Sequence, residues 1–179
     1  MPMTESDNSV LVTLFKHNTW ANLRLLDYCE KLTPEQLRGT ATGTFGDTMN
    51  ILPHIIGAEL SYVERVNGKQ PPTPMQEDVF PGFDLMKQLA RWSGDEMLAL
   101  ALSARADSLV VEKWPEHKQQ GAYPLAGLIV QVINHGADHR SQIATILTQM
   151  GLTPPEMDGW VYMEETGEFK LSEYNPEAE

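Results

Sequence analysis

The chain has 179 residues, 41% of them hydrophobic and 21% charged, with a single cysteine. That is the makeup of one globular domain over residues 1–179, long enough to bury a core without disulfide or metal staples. The formal charge is −12, and about −7 remains when the six acids and one lysine of residues 164–179 are set aside. An acidic body with no cluster of Lys and Arg argues against nucleic acid as a partner.

Apolar residues at helical spacing predict a first helix over Asn8–Leu32, with Val10, Leu14, Ala21, Leu25 and Cys29 on its stripe and Pro34 as its stop. A second covers about Asp47–Val66, where Ile51, Ile55, Ala58, Tyr62 and Val66 share a face. Asp47 or Asn50 can cap it, and Pro53 favours Asn50, since proline is tolerated in a first turn and disruptive further in. The prolines of Asn67–Gly82 predict a long irregular crossover. A third helix follows over about Phe83–Arg105. Leu109-Val110-Val111 and the Gly121 region suggest a short two-stranded ribbon before a fourth helix, about Pro124–Met150, closed by Gly151. The expected fold is all-α, a four-helix bundle with its long crossover between the second and third helices and an acidic tail from about residue 163. The first residues lack a basic leader, and Val10–Phe15 is too short for a membrane span, so a cytoplasmic protein with no membrane partner is expected.

On the fourth helix, Leu125, Leu128, Val132, Gly136, Ile143, Ile146 and Met150 form one stripe. His139 falls inside it and His135 on its margin. Residues four apart on a helix share a face, so two imidazoles can reach one ion. His54, at the edge of the second helix's apolar face, supplies a third. Three half-buried histidines otherwise each need a separate hydrogen-bonding partner. Three neutral imidazoles suit a divalent transition metal and leave a coordination position open, as in catalytic zinc sites. Spacing alone leaves open the alternative that these histidines are hydrogen-bonded core or surface residues.

Gln131, Asp138 and Gln142 flank the pair and could orient the imidazoles, although a solvated helix face is the simpler account of Asp138. Gly136 permits close packing. Asn18 lies on the apolar face of the first helix with Asn22 one turn on. A buried amide needs partners, so an inter-helix hydrogen bond is expected, with a contact in the substrate pocket as the alternative. His17 reads as a half-buried core residue, His117 as an exposed turn residue and Cys29 as core filler. No nucleophile elbow, phosphate-binding glycine loop or residue placed as a general base is present, so the catalytic residues are left unassigned.

The run Asn134-His135-Gly136-Ala137-Asp138-His139-Arg140-Ser141-Gln142 resembles the His-x-x-x-His-Arg-x-Gln signature of the DinB/YfiT-like metalloenzymes. Asn18-Thr19-Trp20-Ala21-Asn22 is similar to the family's Asn-x-Trp-Ala-Asn pattern, Thr44–Glu59 to the stretch carrying its first histidine, and Gly151–Pro155 to its closing loop. Ser141 departs from the pattern, many members having glycine there. The resemblance implies a four-helix bundle with a metal site at His54, His135 and His139, usually holding zinc or nickel, and a homodimer. It also implies a small-molecule substrate and a low-molecular-weight thiol partner, because characterised relatives are mainly thiol-dependent transferases and isomerases. The expected function is that of a metal-dependent thiol transferase or hydrolase. The alternative is a non-catalytic metal- or ligand-binding stress-response protein, marked by a fourth protein ligand such as His17 or Asp138.

Overall fold

The computed structural model describes residues 9–76, 79–105 and 107–172. They are mostly helical with one small antiparallel sheet. The order is α1 (Ser9–Cys29), α2 (Pro34–Leu37), α3 (Thr48–Asn67), α4 (Phe83–Ser103), β1 (Leu109–Trp114), a 3-10 turn (Pro115–His117), β2 (Gln119–Pro124), α5 (Leu125–Gln149) and α6 (Gly159–Glu165). Among these residues no helix is long and apolar enough to cross a membrane.

Each long helix buries one stripe: Phe15, Leu25 and Cys29 on α1, Ile51, Ile55 and Val63 on α3, Met86, Leu89 and Met97 on α4, and Leu128, Val132, Ile143 and Ile146 on α5. Burying apolar stripes of this kind is what holds amphipathic helices together. α1 packs on α4 and α5, and α3 packs on the same two helices. The helices that carry the histidines, α3 and α5, are therefore direct neighbours.

Several boundaries differ from the sequence expectation. Pro34 does not merely stop α1. It opens a separate short helix, whose capping box has the Gln36 amide N–H donating to Thr33 Oγ1 and the Thr33 amide N–H donating to the Gln36 side chain. The first helix accordingly ends at Cys29 rather than Leu32, and its expected start at Asn8 lies outside the described residues. Asp47, not Asn50, caps α3: its carboxylate accepts from the Asn50 amide at 2.8 Å. Pro53 then sits one and a half turns into the helix, where the lost hydrogen bond is offset by burial of its ring. Gly68 at φ 70° closes α3 in the left-handed conformation. α4 stops at Ser103, short of Arg105, and α5 spans Leu125–Gln149, with Pro124 as its cap.

The ribbon pairs Val110 with Tyr123 and Trp114 with Gln119, and Val110 turns into the core while Val111 faces outward. The described residues of the stretch joining α3 to α4 form neither helix nor strand. α6 was not anticipated. It buries Tyr162 against α1, and residues 173–179 lie outside the described residues.

The core divides into two apolar regions. One holds Leu25, Leu26, Ile51, Ile55, Leu89, Ile143 and Ile146; the other holds Phe15, Val63, Met97, Val110, Leu128 and Val132. Between them the buried stripes are interrupted by Asn18 and Asn22 on α1, Glu59 on α3, Ser93 on α4, and His139 and Arg140 on α5.

Candidate metal centre

α3 presents His54 and α5 presents His135 and His139, so that one potential ligand atom from each lies within 4.8 Å of the others. The Nε2 atoms of His54 and His135 are 3.1 Å apart. Two nitrogens bound to one tetrahedral zinc at ~2.0–2.1 Å stand about 3.3 Å from each other, so this pair needs little adjustment to share an ion. The ring centroids are 4.9 Å apart for His54 and His135, 4.6 Å for His54 and His139, and 4.5 Å for His135 and His139. Nδ1 of His139 is buried with no hydrogen-bond partner, which leaves that ring unsatisfied by the protein alone. Burial pushes the His135 pKa down to about 4, assisted by the neighbouring His139 and His54 and opposed by the charge of Asp138. His135 is therefore neutral at physiological pH, the state a metal ligand requires. The donor set fits a divalent transition metal.

The surroundings are aromatic on one side and polar on the other. Phe45, from the loop between α2 and α3, stacks on His54 at 4.2 Å and 18° and meets His139 edge-on at 5.5 Å. The ring is nevertheless 58% exposed, so it walls the site from the solvent side. Gln142 holds that loop: its Oε1 accepts from the Phe45 amide at 2.8 Å, and its Nε2 donates to Asp138 at 3.0 Å. Gln131 donates to the Tyr62 hydroxyl at 3.2 Å, and the Tyr62 ring meets His135 edge-on at 6.1 Å. Gln131, Asp138 and Gln142 thus border the centre, and Asp138 acts on His135 through its charge.

Asn18 lies elsewhere. It is buried in the polar layer, donating to Glu59 at 2.6 Å and accepting from Arg140 at 2.8 Å, which is the inter-helix arrangement rather than a place in an open pocket. His17 is engaged away from the centre, its Nε2 2.9 Å from the Met157 carbonyl and its ring against Trp20 and Tyr162. Neither His17 nor Asp138 belongs to the cluster of potential metal ligands found among the described residues, which consists of the three histidines. His117 is exposed in the 3-10 turn beside Glu116. Cys29 is fully buried, and burial pushes its thiol up to about 12, so it is an inert core residue.

Sequence reasoning passed over Phe45, Glu59 and Ser93, and met Arg140 only as part of the family signature. The last three had a detectable signal, because each is a polar residue in phase with its helix's apolar stripe. Phe45, a loop aromatic, had none.

Three imidazoles from two adjacent helices of a mostly helical protein define a candidate tri-histidine metal centre. The model of the DinB family matches residues 3–176, and the chain belongs to that family. It is similar to Protein DinB of Bacillus subtilis (strain 168), with 26% identity over 161 residues covering 84% of this chain and 91% of the relative.

Proposed function

We propose that the long helices form a four-helix bundle holding one divalent metal, zinc or nickel, on His54, His135 and His139. We further propose that the protein is a metal-dependent enzyme acting on a small molecule, of thiol-transferase or hydrolase type. The observation that carries this reading is the convergence of three donor atoms within 4.8 Å, with no fourth protein ligand in the cluster among the described residues. A bound ion would supply Lewis acidity, lowering the pKa of a water or thiol entering the open position.

The chain's own residues supply the rest. His135 is kept neutral by burial and can donate its lone pair without first losing a proton. Phe45 covers one face of His54 and limits the approach of water from that side. Asp138 places negative charge beside His135, which favours a cation in the centre. Tyr62, its hydroxyl accepting from Gln131 and its ring edge-on to His135, is a polar group beside the centre that could touch a substrate.

The same proposal includes a homodimer in the cytoplasm. An apolar groove of about 470 Å³ between α1 and α5, lined by Leu11, Leu14, Leu125, Ile129 and Ile133, supports self-association. Sedimentation over a wide concentration range tests it, and monomer throughout would refute it.

The functional test is metal content per chain after purification without a histidine tag, followed by assay of the loaded protein on conjugates of low-molecular-weight thiols and on hydrolysable esters and amides. Stoichiometric metal with turnover supports the reading. Stoichiometric metal without turnover across both classes would assign a non-catalytic binding protein, and absence of metal would remove the centre itself.

A further inference from the structure

The polar layer is a single connected network. Arg140 Nη1 on α5 donates to Asn18 Oδ1 at 2.8 Å and to Asn22 Oδ1 at 2.7 Å, both on α1. The same two asparagines donate through Nδ2 to Glu59 Oε1 on α3, at 2.6 and 2.7 Å. Ser93 on α4 donates to Glu59 Oε2 at 2.9 Å. Every member is at most 5% exposed. The amide orientations follow from chemistry, since guanidinium only donates and carboxylate only accepts here. Each asparagine must therefore turn its oxygen to Arg140 and its nitrogen to Glu59.

We propose that Asn18, Asn22, Glu59, Ser93 and Arg140 are positioning residues that set the mutual phase of α3 and α5 and thereby bring His54 against His135 and His139. A buried, bridged ion pair is not needed to hold a core together, because apolar residues of similar volume do that as well or better. What such a network does supply is register. On α5, His135 and His139 form one row, while Gly136 and Arg140 form the next, about 100° around the helix. Turning α5 by one residue would break both asparagine bonds and carry both imidazoles away from His54. α3 is held in the same manner by Glu59, about one and a half turns beyond His54. The ligands come from two helices, and the fixed reference between them is the asparagine pair on α1. Gly136 belongs to the device: a Cβ there would lie 2.8 Å from Arg140 Nη1 and 2.9 Å from Asn18 Oδ1.

The proposal rests on the metal-centre reading for one of its two readouts. Cobalt(II) is titrated into the full chain and into Arg140→Met and Glu59→Gln, following the visible ligand-field absorption, with circular dichroism reporting the fold. Arg140→Met removes both donors and should weaken cobalt binding about 10–100-fold, the usual cost of losing groups that orient metal ligands, and alter the absorption band. Glu59→Gln keeps an acceptor for the asparagines and a donor for Ser93, and should retain the parent band. A folded Arg140→Met with parent affinity and parent band overturns the proposal, since a merely structural role would change stability and leave both untouched. Should Arg140→Met not fold, Asn22→Ala, which removes one of the two clamps, is read by the same criteria. A parent chain that binds no cobalt refutes the metal reading instead. Positioning is then decided on the metal-free protein by imidazole ¹⁵N shifts, which report the His54–His135 contact: altered shifts in Arg140→Met support it, and parent-like shifts overturn it.

Discussion

Gly136 and Arg140 stand one helical turn apart on α5, and the guanidinium of the second occupies the space that a side chain on the first would need. A Cβ at 136 would meet Nη1 at 2.8 Å. A mobile surface arginine would swing aside, but this one is buried and held by two asparagines. Gly136→Ala should gain roughly 1 kcal/mol in helix propensity and lose about 1–3 kcal/mol to overpacking. The net result expected is destabilisation, read as a lower urea midpoint at unchanged slope. Gly127→Ala, on the same helix with open space around it, should be neutral or stabilising.

Glu59 carries a pH dependence whose sign follows from its burial. Desolvation raises its pKa above the ordinary carboxyl value, against the opposing effect of hydrogen bonds from Asn18, Ser93 and Asn22 and of the Arg140 charge. Between the unfolded and folded pKa values the folded state therefore keeps a proton that the unfolded chain has lost, and above that interval Glu59 is the carboxylate of the network. The contribution is fully present below the unfolded value of about 4.3 and disappears as pH rises through the folded pKa. Urea midpoints measured from pH 4 to 8 should move in favour of Glu59→Gln relative to the parent as pH increases. A constant difference across that range would mean that Glu59 titrates alike in both states.

The fold was legible wherever apolar periodicity was long. The stripes of α1, α3, α4 and α5 appear in the sequence because residues such as Leu25, Ile55, Leu89 and Ile143 recur at helical spacing. His54, His135 and His139 stood out because their spacing and phase matched those stripes. α2 and α6 span only four and seven residues, too few for a periodic signal. The network was half legible. Asn18 was seen to need an inter-helix partner, but that partner is Glu59, 41 residues away, and no local pattern joins the two. Asn50 was preferred over Asp47 as the α3 cap by a local rule about Pro53 that burial of the proline overrode.

That reversal can be measured. The Asp47 carboxylate accepts from the Asn50 amide, whereas the Asn50 side chain caps nothing among the contacts seen. Asp47→Ala should cost about 0.5–2 kcal/mol, the range for losing a helix N-cap. Asn50→Ala should stay within about 0.5 kcal/mol of the parent, as surface substitutions usually do. Chemical denaturation of the two variants, side by side, distinguishes the caps.

For the centre itself, His54→Ala, His135→Ala and His139→Ala should each sharply lower metal content per chain, because two imidazoles do not fill a tetrahedral site. His117→Ala should match the parent, since His117 lies exposed in the 3-10 turn beside Glu116. Inductively coupled plasma measurement on untagged protein checks all four. Parent-level metal in His135→Ala would rule the site out.

The wall formed by Phe45 leads to a kinetic expectation. The ring stacks on His54 and touches His139, yet more than half of its surface is open to solvent. Removing it therefore sacrifices little buried area and should leave global stability nearly unchanged, while uncovering one face of the ligand set. An aromatic pair contributes about 0.5–1.5 kcal/mol beyond area burial. If that energy holds the closed arrangement, Phe45→Ala should release metal roughly 2- to 10-fold faster to a chromogenic chelator. Gln142→Leu removes the acceptor that holds the Phe45 amide and should accelerate release in the same direction. The two effects should not add, because both act by freeing the same ring. A double variant whose release rate equals the product of the single effects would show that Gln142 acts on the centre by a route other than Phe45.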